Sequence, residues 1–517
     1  SINELFISIF YIKIEYKMSS LPDVLQVKPL PTIDTMKIDT QVLDPITITE
    51  SQAVFQIPMN GILDGGSYLQ LGAKCAAGVN DCFFPIATGV SALIENVQLK
   101  IGGQVVSSTE DFGHYNTMMR QFQTPEHRAF VGMVKEGATG DRFATNEGSA
   151  GGNTAGGRVG YRDLAYNDGA SAAEVPNFVR LTSDDATTPL FSLPLSTLIP
   201  MMRSRQLPLF AMKDKVYLEI NFKRQTSVAE IGNVACFGVP EPATDAGATI
   251  SISSPNIKFV SDHLYYTDET MDQTAAAIAA EGGLAFLYED LILTTSQVEA
   301  AAQPALGATT QQVVQRQIAV SGRVVRSLMI SDRKQQLSGG VNNHRVLGAY
   351  ISQPPTTNSE LNYRVNDLRI FDRPLVAPTQ KYHQLALTAG RPLMVSSQSY
   401  SFDADSNKAT ADRQLNQCSI SNATIQGHSP VAGLGAGVGG TGADNTDFRG
   451  CSHYNGLDLT INGLNTLGNG RLIGVKPIEL DITYQRTQND YQARTLRTYA
   501  NVERTATIKN GEVFLSA

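Results

Sequence analysis

Residues 191–224, FSLPLSTLIPMMRSRQLPLFAMKDKVYLEINFKR, decide how the chain is read. The end of this stretch alternates without a break. Val216, Leu218, Ile220 and Phe222 fall on one side, and Tyr217, Glu219, Asn221 and Lys223 on the other. A period of two is what a strand shows when one face lies in a core and the other in water. Pro194, Pro200 and Pro208 cannot donate to a ladder, so the lead-in is expected to be extended or irregular rather than regular helix. Residues 478–486, IELDITYQR, repeat the alternation with Ile478, Leu480, Ile482 and Tyr484 inward. The two stretches also end alike, in Phe222-Lys223-Arg224 and Tyr484-Gln485-Arg486. One strand that closes a sheet is therefore expected twice.

Composition sets the class around that strand. The 517 residues allow about three domains of ~150 residues, or fewer and larger all-β units. With 42% hydrophobic and 17% charged residues the chain buries a core and is not disordered by composition. Its 44 glycines and 23 prolines suit many short strands and loops better than helices. A net charge of −8, with no basic run anywhere, argues against a protein whose main task is to neutralise phosphates. Five scattered cysteines (Cys75, Cys82, Cys236, Cys418, Cys451), none in a CxxC pair, suit small buried apolar residues in a reducing compartment.

Residues 1–17 precede Met18 and carry an apolar run broken by Lys13 and Glu15, too short and too charged to span a bilayer. They lack a basic n-region and a small-residue cleavage site. Met18 is read as the natural start, which an intact mass would test. Residues 18–42, rich in proline and β-branched residues, read as an extended arm. Strands are expected at 46–58, 68–75 and 93–101. Gly102-Gly103 then turns into 104–107 as a hairpin, and helices follow within 109–122 and from Thr124 to about Lys135. Residues 137–188 contain GSAGGNTAGGRVG (148–160) and little periodicity, so they are expected to form a functional excursion rather than core.

The second half repeats this order. A strand at 257–266, a helix at 268–280 stopped by Gly282-Gly283, strands at 284–295 and 324–330, and the stretch LNYRVNDLRIFDRPL (361–375), whose residues 366–370 align with 96–101, precede a further helix near Lys381. A glycine-, serine- and aspartate-rich stretch, 402–450, occupies the place of the first excursion. Matching Asn96 to Asn366 gives an offset of 270 residues, and Val216 to Ile478 gives 262. The chain is read as a tandem duplication of one β-domain.

An eight-stranded antiparallel domain in Greek-key order is a jelly roll, and two in one chain resemble the double jelly-roll major capsid proteins of eukaryotic double-stranded DNA viruses. The likeness is carried by LIENVQLKIGGQVV (93–106), PLSTLIP (194–200) with LPLF (207–210), VYLEINF (216–222), DHLYYTDET (262–270) and the final IELDIT. It covers roughly 42–502. The KIDTQVLDPITIT opening (37–49) and the modest length resemble polinton-like viruses or virophages more than giant viruses. On this reading the fold is all-β, two tandem eight-stranded antiparallel jelly rolls with short helices and long loop insertions. The parts are an N-terminal arm (1–42), a first roll (43–226), a linker (227–256), a second roll (257–502) and a C-terminal tail (503–517). The resemblance implies a homotrimer shaped as a pseudo-hexagonal tower that contacts neighbouring capsomers, penton and minor capsid proteins. It also implies an icosahedral virion assembled inside the infected host cell. The two excursions would be surface turrets, and the arm would lie at the inner base near neighbours or an internal membrane.

Other chemistry finds little support. The seven histidines (His114, His127, His263, His344, His383, His428, His453) occur singly, with no HxH or HExxH, so no metal site or cofactor is assigned and a cupin is disfavoured. Residues 435–440 fit GxGxxG but sit in a glycine-rich loop without flanking strand and helix. No GxSxG or GxxxxGK[ST] occurs and no carboxylate pair stands out, so no catalytic residue is named and the chain is read as non-enzymatic. Asn422 begins one glycosylation sequon. Arg203, Arg205, Lys213 and Lys215 form a mild basic cluster, read as a solvated rim or inter-subunit salt bridges rather than a direct contact with nucleic acid. A jelly-roll glycan-binding or adhesin module and a sugar-acting enzyme on a β-sandwich are the alternatives. The absence of tryptophan weighs against the first, and paired carboxyls in a cleft would mark the second.

Overall fold

The computed structural model describes residues 37–72, 88–120, 132–137, 190–223, 256–334, 359–376, 378–388, 454–461, 466–486 and 491–516, together with two-residue strands at 74–75, 82–83, 180–181, 237–238 and 250–251. Sixteen strands carry the architecture. In chain order they are β1 (Lys37–Leu43), β2 (Gln52–Ile57), β3 (Tyr68–Leu71), β4 (Ile94–Ile101), β5 (Gln104–Glu110), β6 (Phe191–Pro194), β7 (Val216–Phe222) and β8 (Ile257–Tyr265). There follow β9 (Leu284–Val298), β10 (Thr310–Ile318), β11 (Val324–Lys334), β12 (Glu360–Val365), β13 (Leu368–Arg369), β14 (Tyr454–Asp458), β15 (Ile478–Arg486) and β16 (Arg494–Lys509).

The first eight form two antiparallel sheets, in the orders β1-β8-β3-β6 and β2-β7-β4-β5. The second eight form two more, β9-β16-β11-β14 and β10-β15-β12-β13. The second pair of orders is the first with eight added to every strand. Each half is a jelly roll, and the chain holds two of one topology. The alternating strands of the sequence lie at corresponding places. β7 is buried at Val216, Leu218, Ile220 and Phe222, with Val216 opposite both Ile57 and Ile101. β15 is buried at Ile478, Leu480, Ile482 and Tyr484, with Leu480 opposite both Arg316 and Tyr363. Both are interior strands, paired on two sides, rather than strands closing an edge.

Each roll has its own core. Phe55, Leu69, Leu99, Leu218 and Phe259 pack in the first, with the Phe55 and Phe259 rings 6.0 Å apart. Leu328, Tyr363, Leu480, Ile482 and Leu496 pack in the second. Helix α1 (Phe112–Arg120) follows β5, and α3 (Pro378–Thr388) follows β13, so each roll has a helix after its fifth strand. Between the rolls runs α2 (Asp268–Ala280), where Thr267 Oγ1 accepts from the Thr270 amide as an N-cap. The excursions 137–188 and 402–450 fall after these helices and before the sixth strand of each roll. They lie outside the described residues, apart from Gly137 and the strand at 180–181, as do residues 1–36, the GxGxxG stretch and Asn422.

Several expectations are corrected. The landmark that matches Asn366 is the β4–β5 turn, not Asn96. Gly102 and Gly103 take φ of 57° and 85° there, and Asn366 and Asp367 take 51° and 66° in the β12–β13 turn. Both are two-residue hairpin turns needing positive φ, which glycine adopts freely and which Asn and Asp tolerate. Strand β8, expected to head the second domain, pairs with β1 and β3 and completes the first roll. Residues 227–256, largely outside the described residues, then fall between β7 and β8 within the first roll, and α2 is the connector between the rolls. β1 belongs to the first roll rather than to an arm. Residues 503–516 are no tail: β16 runs to Lys509 and turns back through Asn510 and Gly511 to pair with Glu512–Ser516. Alternation reports that a strand has a buried face, not which strand it pairs with, and this is where the boundaries went astray. The prolines of the lead-in introduce single helical turns, Leu195–Leu198 after Pro194 and Met201–Ser204 after Pro200. A proline at a helix start forfeits only an amide that has no intrahelical partner.

The turn equivalence is testable. Asp367→Val puts a β-branched residue at positive φ and is expected to cost about 1–2 kcal/mol in denaturant unfolding, whereas Asp367→Gly is tolerated. Both variants lose the exposed pair to Lys476, so their difference isolates the backbone.

Candidate functional site: the seam between the two rolls

The site built most elaborately is the contact between the rolls. Apolar burial comes first. Tyr288 of β9, Ala506 and Ile508 of β16, and Val513 beyond it are buried in the core cluster of the first roll rather than the second, with Leu284, Phe286 and Leu515 packed against them. Strand β9 is long enough to serve two cores: Val298, at its other end, is buried in the second. A third cluster joins Tyr115 and Met118 of α1 to Leu291, Met329, Leu385, Tyr454 and Tyr499 of the second roll. The Tyr115 and Tyr499 rings lie 5.3 Å apart.

Directed bonds fix the register. Tyr288 Oη donates to the Val106 carbonyl at 2.8 Å, and Arg504 Nη1 donates to the same oxygen at 3.3 Å. Asp290 accepts from Ser107 Oγ at 2.9 Å and Arg504 Nη1 at 2.8 Å. Burial pushes the Asp290 carboxyl up, against the bonds from Arg504 and Ser107. Arg203 Nη1 reaches Tyr115 Oη at 2.6 Å and Glu289 at 3.3 Å, and Glu289 also pairs with Arg326 at 2.5 Å. Arg205 Nε donates to the Leu287 carbonyl at 3.0 Å, and the Lys213 amide to the Gly511 carbonyl at 2.9 Å.

Asp111, at φ 46° between β5 and α1, is the hub. Its carboxylate receives His114 Nδ1 at 2.7 Å and Lys223 Nζ at 3.3 Å from the first roll, and Arg497 Nε from the second. Its carbonyl accepts from Tyr499 Oη at 3.4 Å. Burial raises the Asp111 carboxyl, but His114, Lys223 and Arg497 outweigh that and hold it well below the usual carboxylate range. Burial, reinforced by the Arg497 charge, drives the His114 imidazole well below its ordinary value, against the pull of Asp111. His114 is then neutral near pH 7 and donates its Nδ1 proton to the carboxylate.

Of the residues singled out in the sequence, Arg203 and Arg205 sit in this seam, within one chain, rather than on a solvated rim or between subunits. Among the described residues no group of three or more His, Cys, Asp or Glu is placed to hold a metal, and no helix is long and apolar enough to cross a membrane. Asp111, Asp290, Arg497 and Arg504 were not singled out; their only sequence signal is a charged residue interrupting the pattern of a strand or preceding a helix.

No protein-family model and no curated protein matches the chain in sequence. Solved structures do. VP54 of PBCV-1, in a crystal structure fitted into a reconstruction of the virophage Sputnik, is 12% identical with a TM-score of 0.50, over 95% of this chain and 99% of that one. A chain of the Sputnik virophage structure is 9% identical with a TM-score of 0.51, over 96% and 92%. The mavirus major capsid protein is 10% identical with a TM-score of 0.49, over 95% and 92%. The fold is the double jelly roll of viral capsid proteins. The matches to VP54 and to the Sputnik chain take in nearly the whole length of both chains, so both rolls, and not a single sandwich, are shared.

Two outcomes test the seam of this double jelly roll. Asp111→Ala removes the buried carboxylate that Lys223 and Arg497 share across the seam, and is expected to destabilise the chain by about 3–5 kcal/mol, read as a lower unfolding midpoint. The pH dependence follows from two depressed native pKa values. For His114, stability is fully present above the unfolded value of about 6.5 and is lost as pH falls toward its lower native value. For Asp111 the loss begins only below about pH 4. Thermal midpoints should therefore drop from pH 7.5 to pH 5, and His114→Gln should flatten that slope.

Proposed function

We propose that the chain is a major capsid protein: a non-enzymatic structural subunit whose homotrimers form pseudo-hexagonal capsomers that tile an icosahedral virion. The observation that carries this reading is the repetition of one strand order in two rolls joined by a bonded, apolar seam. A three-fold assembly of such chains presents six similar sides, so it packs like a hexagon while keeping a closed interface. Neighbouring capsomers, penton and minor capsid proteins are the partners this role requires, and an internal membrane is a further one. The excursions at 137–188 and 402–450, at one place in both rolls, suit turrets on the outer surface, where loops accept variation.

Negative-stain microscopy and native mass of the purified chain test the proposal. Trimers of hexagonal outline are expected; a monomer, or a two-fold particle, would overturn it. Deleting residues 148–160 should leave the trimer intact by gel filtration, and its loss would remove the turret assignment.

A further inference from the structure

The two ends of the seam are held differently. At one end Tyr288, Ala506, Ile508 and Val513 are buried in the first core. At the other, Arg497 of β16 reaches the Asp111 carboxylate of the first roll. From Arg497 to Ile508 is eleven residues of β16, roughly 36 Å at the rise of a strand. The charged contact sits at the end of a long lever whose other end is apolar.

His114 is 2% exposed at this charged end. Among the described residues, the charges that face it are Asp111 ahead of its own helix, Lys223 just past β7 and Arg497 of β16, with Tyr499 Oη on the Asp111 carbonyl. The turn at 89–93 that packs on α1 carries no charge, and Glu95 of β4 and Glu110 of β5 are exposed. The remaining charges packed around α1 bond elsewhere: Arg120 with Glu136, Arg203 and Arg326 with Glu289, Arg494 with Asp332, and Lys381 with Ser359. One carboxylate thus serves two cations. A proton on His114 makes three, two on the first roll and Arg497 on the second, in a place closed to water while the rolls touch.

We propose that the Asp111 hub is a proton-operated latch: protonation of His114 parts Arg497 from the first roll at this end of the seam, while the apolar end holds as the hinge. Opening hydrates the imidazolium and relieves the like charges. His114 binds its proton more weakly closed than open, so the open arrangement gains on the closed one as pH falls below about 6.5. Asp290, next to the apolar end, is shifted upward by burial. Its contribution is fully present below the ordinary carboxylate value and is lost only as pH rises through its native one, so acid does not loosen that end. The latch belongs to the chain itself; on the capsomer reading it gives the shell a point that acid weakens.

Hydrogen exchange of the intact chain, read by mass spectrometry, tests the latch. Helix α1 lies between the rolls, with Tyr115 and Met118 packed on the second, and a nine-residue helix is marginal without such packing. Its protection factors are expected to lie below those of β7 and β15 at every pH, because it opens without unfolding either core. From pH 7.5 to pH 5 they should fall about thirtyfold, the effect of one group with an open-state pKa of about 6.5. In His114→Gln, which keeps a donor to Asp111 but does not titrate, the fall should vanish. Protection of α1 equal to that of the cores would mean that the seam parts only on global unfolding, and the proposal fails. It fails equally if α1 protection does not change with pH, or falls as far in His114→Gln. Where that variant does not fold, the unaltered chain decides: a tenfold loss per unit below about pH 6 supports one proton, and a flat profile overturns the latch.

Discussion

Two sandwiches with separate cores and one short connector would swing freely; what stops them is the burial of β9 and the end of β16 against the first roll. Each large apolar side chain moved from water into such a contact contributes about 1.5–3 kcal/mol, and Tyr288, Ala506, Ile508 and Val513 are joined there by partly buried Leu284, Phe286 and Leu515. The charged groups act differently. Removing Asp111 and Asp290 from water is costly, and their cations offset that cost in only one arrangement of the rolls. Apolar burial holds the seam closed, and the ion pairs select its register.

That division of labour explains the rest of the architecture. On the capsomer reading proposed above, the two copies must keep one fixed relation, because a shell repeats the angle between them. The strand orders of the two halves agree strand for strand. The helices after the fifth strands and the long excursions also recur at the same step of each roll. The copies differ where the surroundings differ. The β4–β5 turn uses two glycines, with Gly102 against Asp214, while Asn366 also bonds the Gly474 amide, a task glycine lacks the side chain to perform.

Much of this was legible in the sequence. The unbroken alternation of 216–222 and 478–486 marked two strands, which the structure places inside their sheets, Gly282-Gly283 marked the end of α2, and the Gly102-Gly103 turn was located correctly. Other elements were hidden for physical reasons. TQQVVQRQI (β10) is hard to read because Val313, an apolar residue, is exposed while Gln312 and Arg316 take half-buried places, blurring the period of two. DHLYYTDET looked like the head of a domain because nothing in a strand names its partner, and β8 reaches its sheet only after an excursion from β7. The seam was the least visible part. Its determinants, Asp111, Asp290, Arg497 and Arg504, are far apart in sequence and acquire meaning only when the sheets bring them together.

The rigidity of the seam is the claim on which everything else rests, and a distance measurement addresses it directly. Spin labels at exposed Glu50 of the first roll and Val313 of the second, in a background with the five native cysteines replaced and diluted with unlabelled chain, report one intramolecular separation by double electron–electron resonance. A single narrow distance, unchanged between monomer and assembly, is the result expected of two rolls locked as one body. A broad distribution, or one that sharpens only on assembly, would show that the rolls move independently and would contradict the account.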